Sequence, residues 1–282
     1  PQITENCKKV LVVRNIYINF APKNYDNMAE YKKRISDRIL KRKVQGKGAV
    51  LIEGPKWCGK TTTAKQLANS VLDLGNSTVL MQSRQMIEIS HKVLLDGDTP
   101  RLIDEWQALP PIWDSIRSEV DSRGEPSQFI LTGSSVLPEA DTLIHSGTGR
   151  FGHIRMRPMS LFESGESSGE VSLLDLFENR PLELQRNNLD INDIAFLTCR
   201  GGWPWATLIS KELALDQAFD YVDSVVNSDI LRVDKVRRSP ERTKLLLRSY
   251  ARNISQQISY ATIRKDMLAN DASTLDEDTV AD

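Results

Sequence analysis

Cysteine is scarce in this sequence, and it has neither a long hydrophobic run nor an excess of one charge. Its three cysteines, Cys7, Cys58 and Cys199, are too few and too scattered for a disulfide framework or a zinc site. No apolar run approaches the roughly 18 residues that a membrane helix needs, and no signal peptide is visible. Because 37 Lys and Arg residues oppose 38 Asp and Glu residues, a protein that is basic throughout is excluded. We expect a cytoplasmic protein without a membrane segment.

The 282 residues are enough for about two domains. Short apolar runs, typical of strands covered on both faces, occur at residues 48–53 (GAVLIE), 100–105 (PRLIDE) and 127–132 (SQFILT). Helical periodicity occurs at residues 29–44, 60–74 and 109–123, and a further strand is expected at 77–81. This alternation predicts an α/β fold, a parallel sheet with helices on both of its faces.

A glycine-rich turn follows the first of these strands. Residues 54–61 read GPKWCGKT, which is the pattern G-x-x-x-x-G-K-[ST] between a predicted strand and a predicted helix. In this pattern the glycines let backbone N–H groups face a phosphate, the Lys bridges the β- and γ-phosphates, and the Thr hydroxyl binds Mg²⁺. We assign nucleotide binding to Gly54, Pro55, Lys56, Trp57, Cys58, Gly59, Lys60, Thr61 and Thr62. Lys60 is also a catalytic candidate and Thr61 a metal ligand, while Cys58 is either a spacer or a thiol whose oxidation blocks the loop.

Two carboxylates follow the second predicted strand. A P-loop enzyme needs an acid that holds Mg²⁺ through water at the end of a neighbouring strand, and Asp104 meets this need. Glu105 follows at once and would orient a water toward the γ-phosphate. The strand at 127–132, if it lies between the first and third strands, would bring Thr132 or Ser134 to the γ-phosphate. These two residues are therefore candidate sensors of the nucleotide.

Hydrolysis of the γ-phosphate often needs an added arginine. Arg150 follows a Gly-Thr-Gly turn and is our first candidate, supplied by a second copy of the chain. Arg155 and Arg157, on an alternating run that predicts a strand, are weaker candidates.

Helical periodicity dominates from residue 190 onward, with predicted helices at 190–199, 204–213, 214–226 and 240–253. A basic stripe comprises Arg232, Lys235, Arg237, Arg238, Arg242, Lys244, Arg248 and Arg252. It could contact the phosphate backbone of DNA, or be a solvated helix face or a partner surface. Residues 258–268 and 275–282 resemble the opening of a winged helix, although the second of these helices is acidic.

Together these segments resemble the AAA-type P-loop ATPases of archaea and bacteria that carry a helical C-terminal region of unassigned function with a winged helix. The segments that carry the resemblance are YKKRISDRIL (31–40), LIEGPKWCGKTTTA (51–64), PRLIDEWQ (100–107), QFILTGSS (128–135), GRFGHIRMRPMSLFESGE (149–166), RGGWPWA (200–206) and LRSYARN (247–253). The resemblance implies ATP and Mg²⁺ as ligands, a sensor segment at 132–134 and a GR motif at Arg150. It implies a P-loop ATPase domain at 29–165, a helical domain at 166–255 and a partial winged helix at 256–282. Residues 1–28 form an extension that is foreign to the family.

Three functions fit these observations. The first is a Mg²⁺-dependent ATPase that couples the nucleotide state to a conformational change. The second is a nucleotide-gated switch with little turnover, and the third is an ATP-regulated protein that associates with DNA. A metabolic kinase is less well supported, because no acceptor-binding motif is recognisable.

Overall fold

The computed structural model describes residues 31–134, 147–181, 188–230 and 239–269. Contacts between residues divide the chain into two units, Pro1–Ser210 and Lys211–Asp282. Residues 166–210 are therefore part of the same unit as the glycine-rich loop, whereas the sequence predicts a second domain from residue 166. The domain limits of the sequence analysis remain a prediction.

The first unit contains a sheet that has five strands within the described residues, in the order β2-β3-β4-β1-β5. The strands are β1 Ala49–Gly54, β2 Ser70–Asp73, β3 Arg101–Asp104, β4 Phe129–Ser134 and β5 Phe151–Arg155. Every neighbouring pair is parallel. The predicted α/β class is confirmed, and β4 lies between β1 and β3 as the sensor assignment requires.

Apolar side chains cover both faces of this sheet, because successive residues of a strand point to opposite sides. Ala49 and Leu51 of β1 belong to one core cluster, whereas Val50 and Ile52 belong to the other. The first cluster includes Trp106, Trp113 and Ile116, among others, and the second includes Leu40, Val44 and Ala64. The continuous apolar runs of the sequence thus correspond to strands that are buried on both sides.

The helices of the first unit are α1 Ile35–Gly46, α2 Lys60–Lys65, α3 Ser77–Ile89, α4 His91–Leu95, α5 Ile112–Arg123, α6 Leu161–Ser164, α7 Leu173–Phe177 and α8 Ile191–Arg200. Two short 3-10 turns lie at Trp106–Ala108 and Trp205–Thr207.

Three predictions of secondary structure are wrong. The helices expected at 204–213 and 214–226 are a 3-10 turn at Trp205–Thr207 and a single helix that begins at Lys211. The helix expected at 60–74 ends at Lys65, and residues 70–73 form β2, in which Leu72 is buried in the core and pairs with Ile103 of β3. The strand expected at 77–81 is the first part of α3, where the Asn76 side chain accepts hydrogen bonds from the N–H groups of Thr78 and Val79. Pairing with β3 and a helix cap thus outweigh the local periodicity.

The second unit is helical where it is described. Helix α9, Lys211–Ser224, continues into a π-helical turn at Val225–Asp229, and α10 Pro240–Arg252 and α11 Tyr260–Ala269 follow. Ile263 and Met267 of α11 are buried against Leu245, Leu246 and Ile258. The second helix of the expected winged helix, and the part of the basic stripe from Arg232 to Arg238, lie outside the described residues.

Candidate nucleotide-binding site

The glycine-rich loop and both carboxylates lie at the same edge of the sheet. The loop leaves the carboxyl end of β1, and Asp104 is the last residue of β3. Thr132 belongs to β4, which runs between these two strands. Because the strands are parallel, their carboxyl ends meet at one edge, where open α/β sheets bind ligands.

Close backbone approach explains the glycines of the loop. A Cβ on Gly54 would come within 3.0 Å of the carbonyl oxygen of Met156, a distance that real Cβ atoms do not allow. Gly59 has a φ of 99°, in the left-handed region that glycine adopts without strain. It is also the last residue before α2. Both positions therefore need glycine for a physical reason.

Lys60 holds a positive charge inside the loop. Its side chain Nζ donates hydrogen bonds to the carbonyl oxygens of Gly54 and Pro55, both at 2.9 Å. The residue is only 6% exposed. The ammonium group is thus held inside the loop by two of its backbone carbonyls.

Oxygen atoms of three residues meet beside Lys60. The Thr61 hydroxyl donates to Oδ1 of Asp104 at 2.8 Å, and the Thr132 hydroxyl donates to the same oxygen. Asp104 and Thr132 are buried. Hydroxyl and carboxylate oxygens are the ligands that Mg²⁺ prefers, so these residues fit the metal that the sequence predicts. Within the described residues no group of three or more His, Cys, Asp or Glu side chains is placed to hold a metal.

Glu105 has an unusual backbone conformation for its residue type. Its φ of 54° and ψ of 46° are left-handed, a strained state that clusters at functional sites. The Gln107 side-chain amide donates a hydrogen bond to the Glu105 carboxylate. Ser134 pairs in register with Gly54, so the end of β4 lies beside the start of the loop. The roles predicted for Glu105, Thr132 and Ser134 remain predictions.

The remaining loop residues differ in burial. Trp57 is 58% exposed and has a φ of 63°. Lys56 and Pro55 belong to the same loop. Cys58 is fully buried in the core beneath the loop, where burial raises the pKa of its thiol despite nearby Lys60 and Arg34. A buried, protonated thiol resists oxidation, which favours the interpretation of Cys58 as a spacer.

Arg150 lies at the opposite end of the strands from the loop, beside the amino end of β1. Its carbonyl oxygen accepts a hydrogen bond from the N–H of Ala49, the first residue of β1. From Ala49 to the loop at Gly54, β1 rises by about 17 Å. The Arg150 guanidinium forms an ion pair with Asp121 of α5 at 2.6 Å. Arg150 is therefore remote from the loop of its own chain, whereas Arg155, which pairs with Glu53, lies at the carboxyl end.

Sequence reasoning missed Arg34, which is buried beneath the loop. Its guanidinium donates a hydrogen bond to the carbonyl oxygen of Cys58 at 2.7 Å. The only signal in the sequence was its place in the segment 31–40, one of those that carry the family resemblance. Nothing local marks it among the many basic residues nearby.

Comparisons with known proteins agree with this geometry. Residues 46–164 match a family model described as an AAA domain, and residues 191–280 match one described as a domain of unknown function. A Walker-type ATPase of Pyrococcus abyssi has a similar structure, with a TM-score of 0.51 and 14% identity over 92% of this chain and 89% of that chain. A search of curated proteins gives no significant match.

The fold and the family match together define the class of residues 46–164. Residues 46–164 form an AAA-type P-loop domain, followed by a helical region of a family without an assigned function, as the resemblance implies. Nucleotide binding is the shared property of this class. Among the described residues, no helix is both long and apolar enough to cross a membrane.

Proposed function

We propose that this protein binds ATP with Mg²⁺, hydrolyses it to ADP and phosphate, and changes conformation with the state of the nucleotide. The observation that carries the proposal is the meeting of Lys60, Thr61 and Asp104 at one edge of the sheet, with 2.8 Å between the Thr61 hydroxyl and the Asp104 carboxylate. A buried cation, a hydroxyl and a carboxylate in this arrangement match the needs of phosphoryl transfer.

Each residue has a defined task in this proposal. Lys60 exchanges its bonds to the loop carbonyls for bonds to the β- and γ-phosphates, and the backbone N–H groups from Gly54 to Thr62 surround the phosphates. Thr61 binds Mg²⁺ directly and Asp104 binds it through water. The metal neutralises charge on the β- and γ-phosphate oxygens. Thr132 and Ser134 report the presence of the γ-phosphate to the rest of the sheet.

Glu105 is the proposed general base. Its position directly after Asp104 supports this role, because a carboxylate there can accept a proton from a water aimed at the γ-phosphate. In the structure its carboxylate accepts a hydrogen bond from Gln107. The carboxylate must leave this bond, or share it, to orient the water.

The test is ATP hydrolysis by the purified chain with and without Mg²⁺, over a wide range of protein concentration. Glu105→Gln should abolish turnover and retain ATP binding, because the amide keeps the shape of the carboxylate and cannot accept the proton. Lys60→Ala should weaken the binding itself. Turnover that persists in Glu105→Gln would contradict the role of Glu105, and failure of the wild-type chain to bind ATP would refute the proposal.

A second candidate is a nucleotide-gated switch with little turnover. The bond from Gln107 to Glu105 favours it, since it occupies one carboxylate oxygen and lowers the basicity of the group that would activate water. Tight, Mg²⁺-dependent ATP binding without turnover at any protein concentration would select the switch over the ATPase.

Association with DNA is the third candidate, and it would depend on the basic stripe. In the described part of this stripe, Lys244 pairs with Asp223 and Arg252 pairs with Asp266, whereas Arg242 and Arg248 are exposed. Two exposed arginines on one helix support only a weak electrostatic contact. Binding to duplex DNA that falls steeply with added salt, and falls less steeply in Arg242→Gln/Arg248→Gln, would favour this candidate.

A further inference from the structure

The guanidinium group of Arg34 joins three segments of the first unit. Its Nη1 donates to the carbonyl oxygen of Cys58 at 2.7 Å, and its Nη2 donates to the carbonyl oxygen of Arg157 at 2.8 Å. Its Nε forms an ion pair with Glu163 at 3.0 Å. The side chain is only 4% exposed. The planar, rigid fork of a guanidinium presents donors on three separate nitrogens to these three acceptors, whereas all donors of an ammonium group lie on one nitrogen.

Glu163 completes this cluster. One of its carboxylate oxygens also accepts from the backbone N–H of Ile35 at 2.7 Å, and the other accepts from the backbone N–H of Ser160 at 2.8 Å. Burial alone would raise the pKa of Glu163, but these hydrogen bonds and the charge of Arg34 outweigh it and lower the pKa. The Arg34–Glu163 pair is therefore charged on both sides, and hydrogen bonds engage both carboxylate oxygens and all three guanidinium nitrogens.

The bond to Cys58 controls the direction of one peptide group in the glycine-rich loop. In a trans peptide the C=O of one residue and the N–H of the next point in opposite directions. When Arg34 holds the Cys58 carbonyl on its own side, the N–H of Gly59 must point to the other side. A loop that binds phosphate needs its N–H groups to point toward the ligand.

The surroundings of Gly59 show that space is limited on the side of Arg34. A Cβ at Gly59 would lie 3.1 Å from Nη1 of Arg34 and 3.5 Å from Cγ of Pro204. Two residues before Pro204, the carbonyl oxygen of Gly202 accepts a hydrogen bond from the N–H of Met159 at 2.6 Å. Arg34, residues 157–163 and residues 202–204 thus meet on this side of the loop.

We propose that Arg34 is a positioning residue for the nucleotide. It orients the Cys58–Gly59 peptide so that the Gly59 N–H faces a phosphate, and Glu163 holds Arg34 in place. This inference rests on the proposed nucleotide binding of the loop. Arg34 acts through the backbone of the loop and does not contact the nucleotide.

The experiment compares Arg34→Lys, Glu163→Gln and the double variant with wild type. The matched control is Arg38→Lys, the same change at an exposed position of α1. The Kd for MgADP and for MgATP is measured by calorimetry below the unfolding temperature of each variant. If turnover is present, KM and kcat are measured as well.

Arg34→Lys and Glu163→Gln should each raise both Kd values about tenfold, because each disturbs a hydrogen bond to a charged group that orients the loop. KM should rise more than kcat falls, and the double variant should be little worse than Arg34→Lys. Arg38→Lys should bind as wild type does. Glu163→Gln keeps the side-chain shape, so it provides the test even if Arg34→Lys does not fold.

Three results would overturn the inference. If the Arg34 and Glu163 variants bind nucleotide as tightly as Arg38→Lys does and only melt earlier, the pair is structural and the proposed function stands. If the two single changes add fully in the double variant, Glu163 does not act through Arg34. If the wild-type chain binds no nucleotide, the proposed function and this inference fail together.

Discussion

Glu163 and Glu166 carry negative charge in the short stretch around α6, where both residues are partly buried. Burial alone would raise the pKa of Glu166, as it would for Glu163, but Arg200 and the Ser164 hydroxyl outweigh it and hold the pKa below its usual value. Arg200 is itself buried, so this pair resembles that of Arg34 and Glu163. Both carboxylates are therefore easier to ionise in the folded chain than in the unfolded chain.

The lowered pKa values predict a loss of stability in acid. As the pH falls below the ordinary glutamate pKa of 4.5, the unfolded chain takes up protons that the folded chain does not. The contribution of these two groups is complete above that pH and declines as the pH falls through their folded pKa values. Urea unfolding between about pH 3 and pH 6 measures it. Glu163→Gln should show a smaller loss on acidification than wild type does, and an equal loss would contradict the assignment.

The turn from β1 into the glycine-rich loop lies against the end of β5. The N–H of Met156 donates to the carbonyl oxygen of Glu53 at 2.7 Å, and the carbonyl oxygen of Met156 lies against Gly54. Both contacts are between backbone groups, which move less readily than side chains. The position of the loop thus depends on the pairing of β1 with β5.

Gly54→Ala should therefore destabilise the first unit and weaken nucleotide binding. The added methyl group meets the Met156 carbonyl, and such overpacking costs about 1–3 kcal/mol. The matched control is Gly46→Ala at the end of α1, where nothing lies within 4 Å of the added group. Urea unfolding and nucleotide affinity measure the two effects. A Gly54→Ala protein as stable as Gly46→Ala would contradict the contact.

At the scale of the whole molecule, the position of Arg150 has a consequence for assembly. This residue lies at the amino ends of the strands, where it forms an ion pair with Asp121, whereas the loop lies at their carboxyl ends. Arg150 can therefore serve catalysis only at the nucleotide of a second copy. We expect turnover per protomer to rise with protein concentration.

Mixing two inactive variants tests this expectation. Lys60→Ala lacks a working loop and Arg150→Ala lacks the added arginine, so a mixed assembly contains some sites with both residues intact. The mixture should regain part of the wild-type turnover, whereas each variant alone should not. An unrestored mixture, with assembly confirmed by light scattering, would mean that Arg150 does not act in this way.

The extent of the first unit gives a separate prediction. Arg200 pairs with Glu166, Gly202 bonds to Met159, and Pro204 packs near Gly59, all within that unit. A chain that ends at Ser210 should keep cooperative unfolding and nucleotide binding. A chain that ends at Gly165, the domain limit expected from sequence, should lose cooperative unfolding because it lacks these contacts. Equal behaviour of the two chains would support the boundary at residue 165.

The sequence alone determined the α/β class of the fold and predicted the core of the candidate site. The pattern GPKWCGKT and the pair Asp104–Glu105 could be predicted because each is continuous along the chain and its chemistry requires those residue types. The strands β1, β3 and β4 were found for a similar reason, since strands buried on both faces are continuous apolar runs. These features depend on neighbours in sequence.

Tertiary structure decided the features that depend on neighbours in space. Residues 70–73 form β2 because they pair with β3, although local periodicity predicts a helix there. The hydrogen bond from Thr132 to Asp104 required β4 to lie beside β3, and the remote position of Arg150 follows from the edge at which β5 begins. Arg34 is one of many basic residues in its segment, and only folding buries its side chain against the Cys58 carbonyl. Burial and strand order arise from distant segments packing together, which a local pattern cannot specify.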